Sequence, residues 1–333
     1  MSRRALVGCA GVLVGLLILG GWFTQPPALE APASTLQLPP DLDDYLETTE
    51  ANVASRYGII EGAQKRIRWN GAIGRRSDVA VIYLHGLSAT RQEISPVPTL
   101  IAQALDANLF ETRLRGHGRQ RERLSSIRAE EWLADGVEAL TIGAALGDRL
   151  LVIGTSTGAT LALALAEHPL FERVQSLVFM SPNWGPAAGG TGIATGPYGP
   201  QLLRLIAGKE HRWTAANDQQ ERYWTTRYPT ATLVEMYRLV KLADQLTEHA
   251  AVEQALLIYS PEDDVVSVPR LLDGFERLPA ARKEIERVDR PRSLSKHVLA
   301  GSILGPSETA PMVDRIVRFM GDGRVAAAEG PRG

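Results

Sequence analysis

Leu150-Leu151-Val152-Ile153 runs directly into Gly154-Thr155-Ser156-Thr157-Gly158, which leads into the helix-forming stretch Ala159 to Glu167. That order reads as buried strand, tight turn and helix, with a serine at the apex. A serine there takes a strained backbone conformation that exposes its hydroxyl above the sheet. The glycines two residues to either side let helix and strand approach closely. The pattern predicts a nucleophile elbow at Ser156. In a chain with 31 glycines such a pentapeptide also arises by chance, so its partners have to come from the rest of the sequence.

Where the nucleophile rides on an elbow of this kind, the acid and then the base follow it along the chain. Four of the six histidines lie beyond Ser156. His168 ends the helix that the elbow starts and points away from its apex, while His211 and His249 precede the last two predicted strands. His297 remains, in Ser295-Lys296-His297-Val298 after the strand-like Ile285-Glu286-Arg287-Val288. For the acid, Ala255-Leu256-Leu257-Ile258-Tyr259 reads as a buried strand with Ser260-Pro261-Glu262-Asp263-Asp264 at its C-terminal end. Asp263 is the first choice and Asp264 the reserve.

These three side chains have complementary tasks. Serine at its ordinary pKa is a poor nucleophile, so His297 takes its proton during attack and returns it to the leaving group. A buried carboxylate fixes the tautomer of that imidazole and stabilises its charged form. A further element follows the strand Val79 to Leu84, where His85-Gly86-Leu87-Ser88 turns toward a helix near 93–105. Backbone N–H groups aimed at a developing oxyanion contribute roughly 3 to 4 kcal/mol each, and Leu87 and Thr157 are the expected donors. His85 is a candidate substrate contact, or a structural histidine bonded to its own loop.

These pieces, with Arg113-Leu114-Arg115-Gly116-His117-Gly118 and Trp132-Leu133-Ala134-Asp135, resemble the α/β-hydrolase superfamily over about residues 60–320. Within it they are most similar to the monoglyceride lipase, lysophospholipase and serine aminopeptidase branch. Two departures stand out: threonines flank the serine, and Ser260 stands where that branch usually has a glycine. The resemblance implies hydrolysis at a carbonyl carbon without a cofactor.

The rest of the chain fits that fold. Strands are predicted near 64–69, 79–84, 108–113, 149–154, 174–180, 255–260 and 284–288, with helices near 93–105, 130–145, 157–167, 268–277 and 307–320. This alternation predicts an α/β fold with a mainly parallel central sheet, helices on both faces, and ligands at the strands' C-terminal ends. Between about 183 and 250 the alternation breaks, which predicts an inserted helical cap. Trp184, Trp213 and Trp224 fall there; they either line an acyl pocket or pack the cap onto the core. The hydrolase domain is expected over 51–325, followed by a flexible tail at 326–333.

The formal net charge of −2 gives no footprint for nucleic acid, whose binders carry a strongly basic face. Arg113, Arg115, Arg119, Arg121 and Arg123 form the single basic cluster, expected as a solvated, partly structural loop near the mouth of the site, with attraction of an anionic substrate or lipid headgroup as the alternative. One cysteine, Cys9, excludes a disulfide framework, and no H-E-x-x-H spacing points to a metal.

Ala5 to Phe23 is 19 residues without a charge, preceded by Arg3 and Arg4. As a helix it would be about 28 Å long, close to a bilayer core. Residues 24–50 carry six acidic residues and no lysine or arginine, and 25–40 read as a proline- and alanine-rich tether. The expectation is therefore a single-pass anchor at 1–23 with the enzyme outside the cytoplasm, or a secreted protein if that segment is a cleaved signal.

The activity these features predict is cleavage of carboxylic esters, with a monoacylglycerol-like, lysolipid or medium-chain substrate. Alternatives are a serine aminopeptidase, for which Glu210, Asp218 or Glu221 of the cap would recognise an amine, and an acyltransferase using the same acyl-enzyme. A non-catalytic binding protein on the same scaffold is a further alternative, and it would require a broken triad.

Overall fold

The computed structural model describes residues 20, 21 and 23–328 of the chain, with side chains described only as far as 321. Seven strands form one sheet in the order β1-β3-β2-β4-β5-β8-β9. They are β1 (Arg66–Arg68), β2 (Ser77–Leu84), β3 (Asn108–Glu111), β4 (Gly147–Thr155), β5 (Val174–Met180), β8 (Val252–Tyr259) and β9 (Ala280–Arg287). Only β1 runs antiparallel, against β3; every other pairing in this sheet is parallel.

The apolar runs at the centre of the sheet are explained by burial on both faces. Side chains alternate along β2, so Ala80, Ile82 and Leu84 join one hydrophobic cluster while Val79, Val81 and Tyr83 join the other. On the first face lie α3 (Ala129–Leu146), α4 (Thr157–Ala164) and α9 (Val268–Arg277), through residues such as Leu140, Leu161 and Phe275. On the second lie α2 (Val97–Ala104) and α10 (Pro306–Ala328), through Ile101, Ile316 and Phe319. The last strand, β9, alternates half-buried and exposed residues, most of them charged, which suits an edge that must not pair further.

Between β5 and β8 the chain builds the expected insertion. It contains α5 (Thr191–Ala194), α6 (Gly199–Ala207), α7 (Asp218–Tyr223) and α8 (Thr230–Leu246). The insertion is not wholly helical, because β6 (Glu210–Arg212) and β7 (Arg227–Pro229) pair antiparallel within it. Helix α8 packs against α4, which carries the candidate nucleophile at its N-terminus.

The helix α1 (Leu42–Tyr57) starts on an Asp41 side chain that accepts from Asp44 N–H at 3.0 Å and stops at Gly58, where φ is 68°. Before it, the chain lies along the domain: Leu29 is buried in the first cluster, Pro27 O accepts from Arg238 Nε (3.0 Å), and Ser34 O contacts His168 Nε2 (3.2 Å). The expected anchor, Ala5 to Phe23, lies almost entirely outside the described residues. Among the described residues no helix is long and apolar enough to cross a membrane. Of the expected tail, 326–328 continue α10, and 329–333 lie outside the described residues.

Candidate active site

The turn between β4 and α4 has the geometry expected of an elbow. Ser156 sits at φ 51°, ψ −118°, a region that side-chain-bearing residues rarely occupy. Its neighbours make that possible. A Cβ on Gly158 would lie 2.0 Å from Leu84 O, and one on Gly154 would lie 2.6 Å from the Ala159 backbone. Only glycine lets the three segments meet so closely. Ser156 N–H donates to Met180 O (3.0 Å) and Asn183 N–H to Ser156 O (3.3 Å), which fastens the turn to the end of β5.

Beyond β8, Asp263 is buried whereas Asp264 is exposed, so the structure separates the two candidates for the acid. Asp263 Oδ1 accepts from the N–H groups of Val265 (2.9 Å) and Val266 (3.1 Å), and its Oδ2 accepts from His297 Nδ1 (2.8 Å). With Nδ1–H committed, Nε2 is left as the proton acceptor. Burial alone would lower the His297 pKa, yet the Asp263 carboxylate raises it above 6.5. Burial likewise works to raise the Asp263 pKa, while the imidazole and the two backbone donors bring it below 3.8. Ser295 Oγ accepts from the N–H groups of His297 and Val298 (3.1 and 3.0 Å), fixing the loop that carries the ring. Among the described residues the Ser156 hydroxyl makes no hydrogen bond to His297 or to any other group.

The turn after β2 is clamped on all sides. His85 Nδ1 contacts Gly86 O (2.9 Å), and His85 Nε2 accepts from Leu114 N–H (3.1 Å). Both ring nitrogens of His85 are therefore held by backbone, and burial pushes its pKa down to about 4. His117, from the Arg-Gly-His-Gly turn, accepts from Ser88 N–H through Nε2 (3.1 Å), while Ser88 O accepts from Thr225 N–H of the cap (2.8 Å). After these bonds, Leu87 N–H is left without a protein acceptor among the described residues, as is Thr157 N–H at the start of α4.

The arginines around that turn are engaged elsewhere. Arg113 makes a buried pair with Glu50 (2.6 Å), Arg115 reaches Asp135 (3.3 Å), and Arg119 stacks over the Tyr57 ring at 3.9 Å. In the cap, Trp184 is buried edge-on against Phe179 (5.6 Å between centroids), with Nε1–H donating to Thr247 Oγ1 (2.8 Å). A Cβ on Gly274 of α9 would come 2.5 Å from the Trp184 ring, so the indole joins cap and core. Trp224 is buried with the second cluster, and Trp213 is half-buried between the two. Glu210 is held by Arg227 (2.7 Å) and Arg212 (2.8 Å) at the cap surface, Glu221 accepts from Thr226 Oγ1 (3.1 Å), and Asp218 is exposed.

Sequence reasoning passed over Glu93. The expected helix near 93–105 begins four residues later, at Val97, so an acid that reads as a helix start lies in the preceding loop. Its side chain is 2 % exposed. Oε2 accepts from Gly86 N–H and Tyr83 Oη–H, both at 2.8 Å. A Cβ on Gly86 would lie 2.8 Å from Glu93 Oε1 and 3.1 Å from Ser156 Cβ, so carboxyl and serine both pack against that glycine.

The chain is similar in sequence and in fold to known proteins. A thermostable monoacylglycerol lipase from Bacillus sp. is 25% identical over 236 residues, covering 71% of this chain and 88% of the relative. A solved structure of metagenome-derived lipolytic enzymes superposes with a TM-score of 0.62 at 19% identity, covering 79% of this chain and 99% of that one. The monoacylglycerol lipase of Paleococcus ferrophilus gives a TM-score of 0.56 at 14% identity, covering 78% and 98%. The profile of the alpha/beta hydrolase family matches residues 81–302, a span that takes in the clamped turn, the elbow, the acid loop and the histidine. With the sheet order and the elbow in place, the chain belongs to the alpha/beta hydrolase family.

Proposed function

We propose that this protein is a serine hydrolase that cleaves carboxylic esters of lipid type through an acyl-enzyme. Ser156 Oγ attacks the ester carbonyl as His297 Nε2 takes its proton, and the carbonyl oxygen becomes an oxyanion facing the N–H groups of Leu87 and Thr157. The alcohol leaves with the proton from His297, giving an ester on Ser156. Water then loses a proton to His297, attacks that ester, and releases the acid as Ser156 regains its proton. Asp263 holds the imidazole tautomer and offsets its positive charge throughout.

The observation that carries this reading is the 2.8 Å His297–Asp263 hydrogen bond, taken together with a serine at φ 51° on the strand–helix turn. Hydrogen bonds between a nucleophile and its base tighten when substrate binds. The Bacillus monoacylglycerol lipase supports a lipid ester as substrate. An aminopeptidase reading has less support, because Glu210 is already paired with two arginines at the cap surface. Turnover of p-nitrophenyl esters of graded chain length tests the proposal: wild type hydrolyses them and Ser156→Ala does not. Undiminished turnover in that variant overturns it.

The proposal includes placement at a membrane. The uncharged stretch Ala5 to Phe23 is long enough to span, and the chain just after it meets the cap, where Tyr198 N–H donates to Thr24 Oγ1 (3.0 Å). Phe23 and the cap side chains Ile193, Leu205 and Ile206 are all exposed, which suits a face turned toward lipid. The lysine- and arginine-free segment that follows supports an extracytoplasmic domain.

A further inference from the structure

Glu93 stands inside the site but has no part in the steps above. A buried carboxyl without a cation is costly, since removing its charge from water is offset only by good pairing. Among the described residues no lysine or arginine pairs with it, and burial raises its pKa to about 7. Tyr83 of β2 bonds to it, the charge of His297, from the loop after β9, acts on it, and Asp263 stands behind that ring. Asp264 is the remaining charge that acts on His297.

We propose that Glu93 is a positioning residue of the hydrolytic step: its carboxyl fixes the turn that presents Leu87 N–H, and its charge, buried against the same glycine as Ser156, sets how basic the imidazole is. The proposal rests on the triad reading above. The first part follows from the 2.8 Å bond to Gly86 N–H, one residue before the proposed oxyanion donor. The second follows from electrostatics: a carboxylate whose charge acts on an imidazole favours the imidazolium that forms during attack.

Two variants separate the two parts. Glu93→Gln keeps an acceptor for Gly86 N–H but cannot ionise. Glu93→Leu removes the acceptor as well. Turnover of a p-nitrophenyl ester is measured against pH, with active enzyme counted by fluorophosphonate titration. In Glu93→Gln the acid limb of kcat/KM moves down by about one pH unit and the plateau kcat falls about threefold. In Glu93→Leu kcat falls on the order of tenfold with KM within about twofold, short of the loss that follows removal of an oxyanion donor. If Glu93 only fills space, both variants lose melting temperature while the acid limb stays in place, and the proposal fails.

Should neither variant fold, the wild-type protein still decides. The His297 ring Nδ1–H resonance, followed between about pH 5 and 9, should titrate in two steps that belong to the coupled His297–Glu93 pair. A single step overturns the proposal. A Ser156→Ala variant with full turnover would instead remove the triad reading, which is a separate outcome.

Discussion

His297 donates its Nδ1 proton to Asp263 Oδ2 across 2.8 Å, and the adjacent Asp264 lies exposed, so one carboxylate of an acidic pair is committed to the imidazole. The loop after β8 achieves this by turning two backbone N–H groups onto Asp263 Oδ1, which holds the carboxylate charged and oriented.

A pH dependence follows from that pair. With the His297 pKa above 6.5, kcat/KM rises with pH to a midpoint above that value. Asp263→Asn removes the largest charge opposing burial and leaves only Glu93 and Asp264, so the midpoint drops while kcat falls by on the order of 10⁴. Stability carries the same signature. The raised His297 pKa stabilises the fold below 6.5 and ceases to do so as pH rises through the raised value. The lowered Asp263 pKa stabilises the fold above 3.8 and ceases to do so as pH falls through the lowered value. The difference in melting temperature between wild type and Asp263→Asn is therefore greatest between those limits, and thermal melts across pH check it.

Gly158→Ala places a methyl 2.0 Å from Leu84 O, which is backbone and cannot step aside. The expected result is a loss of about 3 kcal/mol or more, or no folded protein, because overpacking at a strand–helix junction forces the elbow open. Urea unfolding measures it, and a variant as stable as wild type contradicts the close approach.

Trp184 discriminates a packing role from substrate contact. Its indole is bonded to Thr247 and wedged against Gly274 and Phe179, so Trp184→Ala should cost about 3 to 5 kcal/mol. The KM of the folded fraction for a medium-chain ester should stay within about twofold. A KM increase without loss of stability would return Trp184 to the acyl pocket.

Removing residues 1–23 should move the protein from the membrane to the soluble fraction while its ester turnover persists. Fractionation of cells expressing both forms tests this, and a full-length protein found soluble contradicts the anchor.

The elbow and the acid loop were legible because each follows a strand whose apolar run is unmistakable, β4 and β8 ending at Thr155 and Tyr259, whereas the histidine was legible by elimination among the four histidines beyond Ser156, since β9 is mostly charged. The clamps around Gly86 and Ser88 were not legible, because they join residues that no sequence period connects: His117 and Thr225 to Ser88, distant in the chain, and Glu93 to Gly86 across a loop of seven residues. No local pattern marks such bonds. Glu93 was hidden further by its resemblance to a favourable first-turn residue of the helix that follows. In the cap, β6 and β7 are three residues each and mostly polar, too short to show alternation in sequence.

The most direct test of the central claim is covalent labelling by a fluorophosphonate followed by peptide mapping. A single adduct on Ser156 is predicted, formed faster as pH rises through the His297 titration and absent in Ser156→Ala. A wild-type protein that stays unlabelled, or one labelled at another residue, would contradict the account.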